Sequence, residues 1–291
     1  MDFKPIQIDR AEDYHQHLKS TPQAASDYSF ANIWGWAREY GLEWAFSYNL
    51  VWIRQNEPQP VYWAPIGPWE DIDWSAVFGR EDFSPGFKRV PETLATLWRH
   101  HSGDQLRIEE DRDNWDYIYD VEELVALSGN RFHKKKNLLN QFKKQNDYRF
   151  ESFSAAMIEE ALALQDDWCT WRDCEDSEVL SAENRAIQRV FVAWKAFPEL
   201  LGGVILVEDI IAAYTIAEPL DEETVVIHFE KGCPAHKGVY QAINQMFLES
   251  LEGRFRYVNR EQDLGDEGLR KAKLSYNPVA YNKKFRVFYK D

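Results

Sequence analysis

The chain has 291 residues, enough for one large domain or two of about 150 each. A hydrophobic share of 44% and an aromatic share of 15%, including twelve Trp, place it well outside disordered composition and supply a sizeable core. With 34 Lys and Arg against 49 Asp and Glu, the net charge of −15 disfavours a general binder of DNA or of anionic membranes.

Cys169, Cys174 and Cys233 are an odd, sparse set without a CxxC. They argue for a reducing compartment and against a disulfide scaffold or a Cys-rich zinc site. No basic segment followed by an apolar run opens the sequence, so no signal peptide is expected. The most apolar stretch, 200–217, is interrupted by Glu208 and Asp209 and is too short to span a membrane. These features predict a soluble cytoplasmic protein. The seven histidines show no metal-ligand spacing, so no metal site is expected.

In chain order, 10–20 and an aromatic-rich 26–40 read as helices, followed by strands at 44–48, 50–55 and 60–63 with a tight turn at Asn49. Pro65, Gly67 and Pro68 close that block. A helix is predicted over 91–101, with Pro at its first position, and strands over 106–109 and 115–120. A similar pattern starts after 150. Helices at 154–169 and 181–196 precede a hairpin of 203–207 and 210–217 turning at Glu208-Asp209. A strand at 224–230, a helix at 238–251, a strand at 255–259, a helix at 268–275 and a strand at 284–289 complete it. This order resembles the acyl-CoA N-acyltransferase (GNAT) fold, with the first half a degraded copy. The expected class is α+β to α/β: two tandem GNAT-like lobes, 1–150 and 151–291, each a mixed, largely antiparallel sheet covered by helices.

Three segments carry candidate chemistry. On the strand 225–231, alternation puts His228 and Glu230 on one face, which suggests a general base with an orienting carboxylate. The alternative is a polar strand face in water. The next segment holds Lys237-Gly238-Val239-Tyr240, where GNAT enzymes cradle a pyrophosphate at a helix N-terminus. Tyr240 stands where a small residue is expected, so acyl-CoA is a weaker donor candidate, although Lys237 could meet a phosphate. The third segment, 131–149, has seven Lys/Arg against one Asp, a local +6 that leaves −21 on the rest of the chain. A helix there aligns Leu138, Leu139 and Phe142 and spreads Lys134, Lys135, Lys136, Lys143 and Lys144 over its other faces. It could receive a phosphate-rich ligand such as a tRNA end or a lipid head group, or pair as a solvated face with acids.

The stretch 259–278 packs nine ionisable groups into twenty residues. A strand end running into a Gly-marked turn is a common place to build a site. Its sequence Asn259-Arg260-Glu261-Gln262-Asp263-Leu264-Gly265 continues through Gly268-Leu269-Arg270-Lys271-Ala272-Lys273-Leu274-Ser275-Tyr276. With Arg131-Phe132-His133-Lys134-Lys135-Lys136-Asn137, His228-Phe229-Glu230-Lys231, Gly238 and Asn244, it resembles the bacterial family related to the C-terminal cytosolic domain of phosphatidylglycerol lysyltransferase, over residues 20–289.

That resemblance implies two tandem GNAT-like lobes. It also implies transfer of an aminoacyl group from aminoacyl-tRNA to a hydroxyl or amine acceptor, with no required cofactor. The acceptor would be a lipid head group or a small molecule, and the chain carries no multi-span membrane domain. In this reading His228, oriented by Glu230, takes the acceptor proton. Asn259, Arg260, Glu261, Asp263, Arg270, Lys271, Lys273 and Tyr276 bind substrate, with Arg260, Arg270 and Lys273 holding a phosphate or oxyanion and Glu261 and Asp263 an amino group. Arg131, His133, Lys134, Lys135, Lys136 and Lys237 meet tRNA or phosphate. The competing reading is a non-catalytic module in which these charges form structural ion pairs or bind a small anion or a partner.

Overall fold

The computed structural model describes residues 1–102, 105–172, 177–251 and 253–290. The strands are β1 (Lys4–Pro5), β2 (Glu43–Ser47), β3 (Leu50–Gln55), β4 (Val61–Trp63), β5 (Phe87–Pro91), β6 (Leu106–Glu110) and β7 (Asp116–Asp120), then β8 (Tyr148–Ser152), β9 (Leu201–Val207), β10 (Ile210–Pro219), β11 (Thr224–Gly232), β12 (Tyr257–Asn259), β13 (Ala280–Asn282) and β14 (Lys284–Tyr289). The helices are α1 (Ala11–Lys19), α2 (Phe30–Trp36), α3 (Trp74–Arg80), α4 (Glu92–Ser102), α5 (Val121–Ala126), α6 (His133–Gln145), α7 (Ile158–Trp171), α8 (Glu178–Val192), α9 (Val239–Ser250) and α10 (Glu267–Leu274). Two mixed sheets with helices make a tandem GNAT-like α+β fold.

The division between the halves differs from a single break at 150. One compact unit is Met1–Asp116, Gln262–Arg270 and Tyr281–Asp291, and the other is Tyr117–Glu261 and Lys271–Ala280. The reason lies in the strand order. The first sheet runs β1-β2-β3-β4-β5-β14-β6, so it takes an interior strand from the far end of the sequence. The second runs β13-β7-β12-β11-β10-β9-β8 and recruits β7 from before residue 150.

The first unit buries its aromatics. Trp44, Trp52, Trp63, Trp69, Trp74 and Trp98 are all essentially inaccessible. Trp52 stacks on Phe83 with centroids 4.9 Å apart, and Phe87 meets Trp98 at 4.7 Å. The β2–β3 turn carries Tyr48 and Asn49, both at φ 58°, which is the left-handed pair that a tight hairpin requires. The predicted helix 26–40 is shorter than expected. Ser26 and Asp27 are drawn into a buried polar network, and Ser29 caps α2 by accepting from the Asn32 amide.

In the second unit α7 and α8 cover one face of the sheet. Leu164, Ile187, Val190 and Phe191 pack there on Val204, Leu206, Tyr214, Ile216 and Phe229. The β9–β10 hairpin turns at Glu208 and Asp209, at φ 53° and 67°. β11 and β12 are parallel and in register from Thr224↔Tyr257 to Val226↔Asn259. Cys233 is free, and Cys174 lies outside the described residues. Among the described residues, no helix is long and apolar enough to cross a membrane.

Candidate active site

β11 does not keep strict alternation. Phe229 pairs with Ile216 and Ile227 with Ala217, so His228 is the extra residue of a β-bulge. Bulges re-aim side chains, and this one separates His228 from Glu230. His228 Nε2 lies 2.9 Å from Glu218 Oε1 and Nδ1 lies 2.8 Å from Glu261 Oε1. Burial alone would depress the imidazole, but hydrogen bonds and charge from Glu218 and Glu261 outweigh it and raise its pKa to about 9. His228 is therefore an imidazolium at neutral pH with an inaccessible side chain. The expectation of a general base oriented by Glu230 is corrected to a buried cation clamped between two carboxylates, one of which, Glu218, sequence reasoning missed. Glu261, expected to bind an amino group, is committed to this clamp, and its own amide donates to Asn259 Oδ1 at 2.8 Å.

Glu230 belongs to a second cluster. Arg260, just past the end of β12, donates from Nη2 to Glu230 Oε1 at 3.1 Å. Asn244 of α9 donates to the other carboxylate oxygen at 3.3 Å. The Arg260 guanidinium lies 4.8 Å from the Tyr276 ring centroid. Lys135 Nζ of α6 lies 3.9 Å from the same centroid and forms no ion pair among the described residues. Burial, and then the charge of Arg260, bring Lys135 down to about 8. The Tyr276 hydroxyl accepts from Gln241 at 3.2 Å, and burial raises its pKa. Arg260 Nη1 is buried with no hydrogen-bond partner among the described residues. Two cations over one aromatic ring, with one guanidinium nitrogen unclaimed, can bind a carbonyl oxygen on which negative charge develops.

The long motif is divided between the units after Glu261. Asn259, Arg260, Lys273 and Tyr276 lie in the second, where Lys273 Nζ donates to the Arg260 carbonyl and Lys271 is exposed. Asp263 and Arg270 lie in the first. Arg270 donates to Asp263 from Nε at 2.9 Å and from Nη2 at 2.7 Å, and to Asp113 at 2.6 Å. Arg112 reaches Asp263 at 3.3 Å. Asp263 and Arg270, expected to meet substrate, thus form an ion-pair network with Arg112 and Asp113.

Along α6, Leu139 and Phe142 are buried, while His133, Lys134, Lys136, Lys143 and Lys144 are exposed. Arg131, just before it, pairs with Glu123. Lys237 is exposed on the loop before α9. Gly238 there has φ 88°, and a Cβ built on it would lie 2.2 Å from the Leu138 carbonyl oxygen. α6 therefore covers the helix N-terminus at which GNAT enzymes hold a pyrophosphate. The obstruction comes from α6 and not from Tyr240, whose hydroxyl instead accepts from Trp168 Nε1 at 2.8 Å.

Comparison with known proteins agrees with this architecture. The family model described as "Phosphatidylglycerol lysyltransferase, C-terminal" matches residues 18–288. A conserved protein of unknown function from Bacteroides thetaiotaomicron is 28% identical, covers 100% of both chains and superposes with a TM-score of 0.89. L-PGS from Bacillus licheniformis is 15% identical, with 95% of this chain and 91% of that one covered and a TM-score of 0.65, a likeness of fold. An uncharacterized protein of Mycoplasmoides gallisepticum is 24% identical over 177 residues, 59% of this chain, and the match spans 55% of that relative's length.

Proposed function

Because the chain belongs to the phosphatidylglycerol lysyltransferase C-terminal family, we propose that it transfers an aminoacyl group from aminoacyl-tRNA to a hydroxyl or amine acceptor, a lipid head group or a small molecule. The observation that carries this reading is the unclaimed Arg260 Nη1 beside Lys135 and Tyr276. The acceptor oxygen or nitrogen attacks the ester carbonyl, and the carbonyl electrons move onto oxygen, which Arg260 stabilises by a charge-assisted hydrogen bond. Lys135, near 8, has a neutral fraction at neutral pH that takes the acceptor proton. Collapse of the tetrahedral intermediate breaks the ester bond, and the same proton passes to the departing ribose oxygen. The exposed Lys134, Lys136, Lys143 and Lys144 supply phosphate contacts for the tRNA. His228 acts through Glu261, fixing the turn from which Arg260 projects. The covered N-terminus of α9 weighs against acyl-CoA as donor.

The test is binding to aminoacylated and uncharged tRNA at two salt concentrations, followed by transfer assays. Salt-sensitive binding that prefers the charged form is expected. Replacing Lys134 and Lys136 with Gln should lower the salt slope by roughly two. Arg260→Gln should leave tRNA binding in place and slow transfer by about 10²–10³. Failure to bind either tRNA would sink the reading and leave a binding module for small anions.

A further inference from the structure

The first unit carries a second pair of cations that the proposed transfer reaction does not use. Lys88 and Arg89 are consecutive on β5, where alternation should send them to opposite faces. They share a bulge instead. Val90 pairs with Phe285 and Phe87 with Val287, so Lys88 and Arg89 together oppose Arg286 alone. Arg89 sits at φ 56°, a left-handed conformation uncommon for a long side chain. As a result both cationic heads turn to one aromatic pair. Lys88 Nζ is 5.3 Å from the Tyr40 centroid and 5.6 Å from that of Trp63, and the Arg89 guanidinium is 5.5 and 4.1 Å from the same rings. β4 ends at Trp63, paired in parallel with Lys88, so the bulge lies where the parallel strands part. Ligands of such sheets bind at that kind of opening.

The neighbouring carboxylates are already committed. Asp27 receives Arg89 at 2.6 Å and also Lys284; Asp116 receives Lys284 at 2.6 Å; Asp111 receives Arg286 at 3.2 Å. Lys88 has no ion pair among the described residues, and Arg89 Nε is buried without a hydrogen-bond acceptor. Lys88 is half-buried.

We propose that the Lys88–Arg89 bulge is an anion subsite of the first unit, which takes a carboxylate or phosphate group of a small ligand against Tyr40 and Trp63. The anion would accept from Arg89 Nε and Lys88 Nζ, giving the two unclaimed donors their partner. Burial, and next the adjacent Arg89, bring Lys88 down to about 7 despite Asp27 and Asp111, as expected of a cation awaiting a counter-charge.

The test is thermal unfolding of the full chain in rising inorganic phosphate or acetate, at ionic strength held constant with chloride. A saturable rise in midpoint with either ion is expected, and whichever ion acts identifies the source of the anion. Lys88→Met should weaken that response about tenfold or more, and Lys88→Arg should keep it. Equal responses in wild type and Lys88→Met, or none in wild type, overturn the proposal. Should Lys88→Met fail to fold, acetic anhydride labelling of wild-type Lys88 near pH 7 replaces it. Protection by the active ion supports the subsite, and unchanged labelling overturns it. Neither readout depends on tRNA.

Discussion

His228 shows how a buried charge can be read two ways until its partners are known. The folded imidazole, raised to about 9, stands above its ordinary 6.5. The stability it contributes is complete below 6.5 and is lost as pH rises through about 9, on the order of 3 kcal/mol in all. His228→Gln should therefore be destabilised near pH 6 and should lack most of the wild-type decline between pH 6.5 and 9. Denaturant titrations at three pH values would show it, and parallel declines would refute the clamp. Asp263→Asn should cost roughly 2–3 kcal/mol, discounted because Arg270 and Arg112 are a third exposed while Asp263 is fully buried. That the stretch from Asn259 to Tyr276 is rich in charge and follows a strand was legible in the sequence. What each charge does was not, because the partners Glu218, Glu230, Asp113 and Arg112 are distant in sequence and only folding brings them close.

At the scale of elements, turns were easier to read than bulges. Asn49 and Glu208-Asp209 announce hairpins through residue types that accept positive φ or break strands, and both hairpins form. The bulges at His228 and at Lys88–Arg89 leave no such mark. β5 went unread because Phe-Lys-Arg-Val-Pro lacks alternation and abuts a helix start. α6 was legible as an amphipathic basic helix. Its seat on α9 was not, since the close approach at Gly238 and the Lys143–Gln245 hydrogen bond join residues far apart in sequence. Gly238→Ala would force a Cβ onto the Leu138 carbonyl in a left-handed conformation and should cost about 3 kcal/mol. A melting midpoint equal to wild type would mean that α6 packs elsewhere.

For the whole molecule, the lobe count followed from the repeated element order, but the lobe boundary did not, because a repeat in sequence cannot show which sheet a strand joins. β14 stands between β5 and β6, paired through Val90↔Phe285 on one side and Ile108↔Val287 on the other. Removing residues after 283 should therefore strip β6 of its partner and abolish the near-ultraviolet signal of the tryptophan-rich unit, while a retained signal would show that β14 is dispensable. Translation adds a constraint of timing. The first unit begins to emerge from the ribosome before the second, yet its sheet stays open until the whole second unit has been made. The exposed edges of β5 and β6 must wait through that interval. The first unit's sheet is thus the part of this chain completed last, although most of its strands have had longest to fold.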